Sequence, residues 1–492
     1  MSTSINPIKF ALTIACALLS AFVAQASEYP VRDNTEILML DDPRVNFELR
    51  IILTRKEKHA IDGMAFTQLN DELGRPLLEA IHYAQVTHHT PVRMAYDILA
   101  SAIEGKGRGI PAAGWIADEN LVCKGEVVCA HPIEKLSAGI SQSDYVHLKS
   151  YRVGEVTFIG GYNNTGHSLR TLDSGFIIRA IDPTKPFLGT DIAKNYDEVF
   201  GILNKMKEDS IIPIPNRKIE SPLTGEELSL IYTEEQKAKV QEVLNILSKP
   251  AQTDDLLLDY QFRPKKVQLR TNDLFKNLTK SRAERRALGG RYGFPNSNHS
   301  HLAQEIHNFQ TLSEANIHYW GYVYAPTPEV HLAIIDYVNA GGTFTIWTNG
   351  KNAHKTVTWR GISVYYSLEN IDDLLTKTEH GKGKVVVKLL DAEKAKIAGM
   401  GPYVHRKRIA FTSLERNMVL DSSDNFTWSS AMKNDELSIS IEDDRYVGKA
   451  MKISKAEAHT YDTVSTKTIH EMYEGRPKLA YSCVKLLLKK VF

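Results

Sequence analysis

The chain writes one short phrase twice: Tyr145-Val-His147-Leu-Lys149 and, much later, Tyr403-Val-His405-Arg-Lys407. An apolar run and a small-residue turn ending in Asn follow each copy. VTFIG leads to Gly160-Gly161-Tyr162-Asn163, and NMVL leads to Ser422-Ser423-Asp424-Asn425. In an extended segment residues i and i+2 face the same way, so each phrase presents an imidazole beside an ammonium. A hairpin through the apolar run returns an Asn amide to the same place. Two such constellations in one chain predict an internal duplication.

The flanking patterns repeat as well. FELRIILTRK reads as a strand, LNDELGRPLLEAIHYAQVTH as an amphipathic helix and TPVRMAYDIL as a second strand. NIHYWGYVYA, TPEVHLAIIDYVNAGG and TFTIWTNG repeat that order, with Gly341-Gly342 as the stop signal of the helix. Each βαβ unit predicts parallel strands in a sheet covered on both faces. With 492 residues and 42% hydrophobic content, two large cores are available.

A net charge of +1 argues against nucleic acid as the partner. The only dense basic segment is Lys280 to Gly293. Residues 1–26 have the pattern of a secretory signal: Lys9, an apolar run, then Ala24-Gln25-Ala26, with cleavage after Ala26. The expectation is an exported protein, periplasmic or secreted. There Cys123 and Cys129 either pair or remain free thiols. The organisation expected is a first half over 27–214, a connecting segment over 215–270 and a second half over 271–492. Gly289 to His301 reads as a loop, and the lack of carboxylates near its His residues argues against a metal site.

On these residues the sequence resembles the phospholipase D superfamily, whose signature is His-x-Lys, four residues, Asp, then Gly-Ser-x-Asn. NFTWSSAMKNDE places Ser430, Asn434 and Glu436 at the family's downstream offsets; the first half keeps Asn163 and Ser168 but has Ser174 at the acidic slot. The motif Asp is absent from both copies, with Gly154 and Thr412 in its slots and Glu415 as a stand-in candidate. A third pair, His380 and Lys382, precedes a strand and Asp391 but lacks the turn, and reads as a charged turn. The resemblance implies a duplicated α/β fold: a phospholipase D-like α-β-α sandwich of two pseudo-symmetric halves, with mixed, mostly parallel sheets.

It also implies a catalytic set of His147, Lys149, Asn163, His405, Lys407, Asn425 and Glu436. His147 would be the nucleophile and His405 the acid/base, through a phosphohistidine, with no metal and no cofactor. Neutral imidazole suits attack on an anionic phosphodiester, while Lys and Asn stabilise the non-bridging oxygens. Glu436 is expected to orient His405, leaving Asp173 or Glu155 for His147. The substrate class implied is a glycerophospholipid met at a membrane surface, its headgroup hydrolysed or exchanged, by a chain that carries both motifs and can act as a monomer. Two other functions fit the same residues: a nuclease of this fold, or a non-catalytic phospholipid-binding protein. The C-terminal Lys485, Lys489 and Lys490 read as an ordinary basic-apolar end.

Overall fold

The computed structural model describes residues 29–65, 67–69, 71–96, 126–129, 145–210, 223–231, 233–251, 257–271, 297–350, 359–427 and 434–474. The expected leader, Cys123, the basic segment at 280–293 and the C-terminal lysines lie outside them. The first strands are β1 (Thr35–Met39), β2 (Ile61–Ala65), β3 (Val92–Tyr96), β4 (Glu126–Cys129) and β5 (Tyr145–Val146). They continue as β6 (Ser150–Val153), β7 (Val156–Gly160), β8 (Thr171–Leu172), β9 (Gly175–Ala180) and β10 (Gln261–Phe262). Then come β11 (Lys266–Thr271), β12 (Asn316–Trp320), β13 (Thr343–Asn349), β14 (Lys384–Leu390) and β15 (Tyr403–Val404). The last are β16 (Arg408–Thr412), β17 (Met418–Ser422), β18 (Asn434–Asp435), β19 (Leu437–Glu442) and β20 (Tyr461–Val464).

One sheet has the order β10-β1-β9-β7-β6-β2-β3-β4 and the other β11-β19-β17-β16-β12-β13-β14-β20. Matching β1 to β11, β9 to β19 and so on superposes seven consecutive strands of each. The duplication is therefore one of topology as well as motif. Parallel pairing is confined to β2-β3-β4 and β12-β13-β14, while every other pairing in the two large sheets is antiparallel among the described residues. The sheets are mixed, with less parallel character than the βαβ reading suggested.

Helices cover both sheets: α1 (Pro43–Lys56), α2 (Gly74–His88), α3 (Leu188–Ser210), α4 (Glu234–Leu247), α5 (Ser297–Gln310) and α6 (Pro328–Ala340). Then follow α7 (Trp359–Thr378), α8 (Ala392–Ile397), α9 (Asp444–Glu457) and α10 (Thr466–Glu474). Three apolar clusters define the layers. One lies under α1, α2 and α4, one under α5, α6 and α7, and the third joins the facing sheets through α3 and α9. No helix of the described residues is long and apolar enough to cross a membrane.

The segment FELRIILTRK is part of α1, not a strand. Asp42 caps it by accepting from the Arg44 and Val45 backbone N–H groups, Pro43 opens it, and Arg55 and Lys56 sit in the last turn. Its alternating Val45, Phe47, Leu49 and Ile51 imitate a strand because α1 is buried on several sides, so the polar positions between them are also inside. The parallel partner of β3 is β2, which the alternation concealed. Of the expected connector, α4 and β10 pack on the first half, whereas β11 enters the second sheet beside β19. The Gly289–His301 stretch does not end as a loop: from Ser297 it is helical, and His299 is buried.

The slots of the missing motif Asp fall at strand ends. Gly154 makes the β6–β7 turn with φ +56, and Thr412 closes β16, its hydroxyl donating to the Asn316 carbonyl. Four residues of strand lie between each slot and its motif lysine, five residue steps or roughly 16 Å. Glu415 lies outside the site too, where its carboxylate accepts from the Ser313 N–H. Restoring the family residue by Gly154→Asp should therefore weaken the fold, because the left-handed backbone disfavours a side chain and the Glu57 carboxylate occupies the space. Urea unfolding is expected to show a loss of about 1–2 kcal/mol; unchanged or higher stability would refute this account of the turn.

Candidate active site

Two pairs of very short strands stitch the halves together. β5 runs parallel to β18, with Val146 opposite Asp435, and β15 runs parallel to β8, with Val404 opposite Leu172. The next residue on each strand is a member of the site. His147 Nδ1 lies 2.8 Å from Glu436 Oε2, and His405 Nδ1 lies 2.6 Å from Asp173 Oδ2. Each imidazole is thus held by the carboxylate of the opposite half.

This reverses the expected assignment. Glu436 serves His147 rather than His405, and Asp173 serves His405. Glu155 is exposed on the β6–β7 turn and takes no part. The reason is the strand crossing: the chain that leaves each Asn turn passes to the other half before presenting its acid. Counting offsets within one half cannot reveal that. Counting also placed Ser174 at the acidic slot, whereas the acid is its neighbour Asp173, and the Ser174 hydroxyl faces Asp421 at 3.3 Å.

The lysine and the carboxylate around each ring set its tautomer. Lys149 Nζ is 2.9 Å from His147 Nε2, and Lys407 Nζ is 3.1 Å from His405 Nε2. An ammonium has only donors, so at His147 Nε2 is the acceptor and Nδ1–H donates to Glu436. At His405, where Lys407 Nζ is also 3.2 Å from Nδ1, the 2.6 Å contact of Nδ1 with Asp173 sets the same tautomer. Each lysine also donates to the backbone carbonyl of its own histidine, at 3.0 and 2.8 Å. The product is two neutral imidazoles whose Nε2 lone pairs stand beside cations.

The two acids differ by one methylene, and the turns compensate. Ser423 Oγ donates to Glu436 at 2.6 Å and accepts from the Leu437 N–H. Its counterpart in the first half is Gly161, where a Cβ would overlap the Asp173 carboxylate. The departures from Gly-Ser are thus matched to the acid each turn must accommodate. Asn163 is buried, its N–H bonded to Ser168 Oγ and its carbonyl accepting from the same hydroxyl. Asn425 lies between Asp424, which bonds His299 at 3.0 Å, and Phe426, whose φ of +51 is rare for a bulky residue. The His299–Asp424 brace was not legible, because His299, in the first turn of α5, lies 125 residues before Asp424. His167 stands at the rim, its ring 6.0 Å from that of Tyr403 in the other half. His380 and Lys382 are exposed in the turn before β14, and Asp391 caps α8.

Burial pushes the His147 imidazole down to about 4, with Glu436 opposing and Lys149 assisting. Burial and Lys407 push His405 down to about 4, against the pull of Asp173. Burial works against the carboxylates as well, yet His147 and Lys149 hold Glu436 low, and His405 and Lys407 hold Asp173 low. Burial also lowers the Lys407 ammonium. Among the described residues no three His, Cys, Asp or Glu side chains form a metal-binding group.

The architecture is a duplicated phospholipase D-like fold: two like α/β halves with their repeated motifs brought together at the junction. A phosphatidylserine synthase from Haemophilus influenzae Rd KW20 matches over 96% of this chain and 97% of its own, at 13% identity and a TM-score of 0.59. A polyphosphate kinase from Porphyromonas gingivalis matches over 86% of this chain and 50% of its own, at 11% identity and TM-score 0.42. A yeast tyrosyl-DNA phosphodiesterase mutant matches over 84% and 91%, at 9% identity and TM-score 0.42. No family model and no curated protein matches the sequence.

The depressed imidazole values carry a stability consequence. Between about pH 6.5 and 4 the unfolded histidines bind protons that the folded ones do not, so stability must fall as pH is lowered through that window. Melting curves from pH 7.5 to 4.5 should show this, with a shallower slope in His405→Asn. An identical slope in the variant would contradict the neutral-imidazole assignment.

Proposed function

We propose that the chain is an exported phosphodiesterase of phospholipase D type that hydrolyses or exchanges the headgroup phosphodiester of glycerophospholipids. The observation that carries this reading is the facing pair of neutral imidazoles, each with its Nδ1–H on a carboxylate and its Nε2 beside a lysine. Such an Nε2 is a nucleophile, and the adjacent Lys149 and Lys407 neutralise the phosphate that it attacks. An anionic phosphodiester bound between the rings raises the affinity of His405 for a proton, since opposite charge favours the protonated form.

His147 Nε2 then forms a bond to phosphorus as the bond to the departing alcohol breaks, and His405 supplies that oxygen with its proton. In the second step neutral His405 takes a proton from water or from a second alcohol. The new P–O bond forms and the phosphohistidine bond breaks. Glu436 stabilises the positive charge that develops on His147, and Asp173 does the same for His405. Asn163 and Asn425 offer amides to the non-bridging oxygens. The missing motif Asp does not bear on these steps, because its slots lie at the far ends of β6 and β16.

The lipid substrate and peripheral contact with a membrane surface rest on the leader at 1–26 and on the resemblance. They are tested by headgroup release from mixed phospholipid vesicles, with acid-quenched protein checked for phosphohistidine. Wild type should release headgroup; His147→Ala should lose both release and label, by on the order of 10³-fold or more. His405→Ala should slow release while leaving His147 able to be labelled. Cleavage of DNA with vesicles intact would replace the lipid reading by the nuclease, and binding without release or label would replace it by a non-catalytic role.

A further inference from the structure

We propose that Asn349 is a positioning residue for His405, and that the step it governs is proton delivery to the departing alcohol. The inference rests on the role given to His405 above. Asn349 ends β13, a central parallel strand, and is buried. Its side-chain Oδ1 accepts from the Val404 N–H at 2.9 Å, and its Nδ2 donates to the Val404 carbonyl at 2.8 Å. The amide therefore pairs with Val404 as the peptide of a neighbouring strand would. The same Nδ2 lies 2.9 Å from the Tyr322 carbonyl.

The opposite edge of this segment belongs to the other half. Val404 stands across from Leu172, whose carbonyl accepts the His405 N–H at 2.8 Å. The backbone leading into His405 is thus gripped from one side by the first half and from the other by a single side chain. Tyr322, fixed by that same side chain, sets its ring edge-on to His405, 6.2 Å between centroids. Asn349 consequently holds the strand from which the imidazole projects and, together with the Thr348 hydroxyl, the Tyr322 backbone beside it. The phrase that contains Asn349, TFTIWTNG, reads in the sequence as no more than a strand.

Loss of the amide leaves the Val404 N–H and carbonyl to find other partners in a buried position, and His405 shifts relative to Asp173. A displacement of about 1 Å at a proton donor costs on the order of 10²-fold in rate. That cost depends on how much the leaving group needs the proton. An alkyl alcohol departs poorly as its anion, whereas p-nitrophenolate departs without help. When His147 forms its bond to phosphorus, the P–O bond breaks in both substrates, and only the alkyl oxygen requires the proton from His405.

The experiment compares the first turnover of an alkyl phosphodiester with that of a p-nitrophenyl phosphodiester in wild type, Asn349→Leu, Asn349→Asp and His405→Ala. Melting curves establish that each variant is folded. Asn349→Leu should slow the alkyl substrate on the order of 10²-fold while changing p-nitrophenolate release only about threefold or less. KM should stay near the wild-type value. Asn349→Asp keeps the acceptor for the Val404 N–H but loses the donor, and should fall between wild type and Asn349→Leu; it also carries the test if the leucine variant does not fold. His405→Ala separates the two ideas. If it shows the leaving-group split and the Asn349 variants slow both substrates alike, or neither, the positioning role is overturned while the acid role of His405 stands. If His405→Ala lacks the split, the acid role itself fails, and the proposal with it.

Discussion

The hydrogen bond from each motif imidazole to a carboxylate of the opposite half is the constraint on which the rest depends. Neither motif histidine finds its carboxylate partner in its own half. The bonds exist only when β5 lies along β18 and β15 along β8, so the register of those two-residue strands decides the chemistry. A slip of one residue would turn the side chains to the wrong face. The duplication is therefore more than economy: the two copies exchange parts.

Behind the site the junction is held by buried charge. Arg406 makes a two-pronged ion pair with Glu457 and reaches the Asp173 carbonyl at 3.3 Å. Arg408 bonds Asp421, which also accepts from Tyr446 and from Ser174 of the other half. Buried pairs of this kind add little net stability, but breaking one is costly, so they discriminate sharply between the right and wrong docking of two apolar sheets. The Asp41 carboxyl, half-buried near both arginines, is pushed up by burial. The same low-dielectric setting that specifies the junction keeps both imidazoles neutral.

Much of this was legible from residues alone. The repeated Tyr-Val-His-x-Lys phrase, the apolar hairpins and the Asn turns located the two halves and all four His and Lys groups. β12, α6 and β13 matched their periodicities, since a half-buried helix and a buried parallel strand leave distinct patterns. α1 did not, because burial on several sides erases the polar face that marks a helix. The pairing of acids with histidines was illegible for another reason: it depends on chain crossing, which offsets within one half do not record. Asp173 was visible as a candidate, yet a one-residue difference between the Asp and Glu versions shifted the counted slot onto Ser174. Asn349 carried no signal, as its role is to imitate a backbone.

The crossed pairing is tested most directly by NMR of 15N-labelled histidines in wild type, Glu436→Gln and Asp173→Asn. The Nδ1–H proton of each imidazole, donating to a buried carboxylate, should resonate at low field. Glu436→Gln should move the His147 signal and leave that of His405 in place, and Asp173→Asn should do the reverse. A Glu436→Gln protein in which only the His405 signal moves would contradict the account.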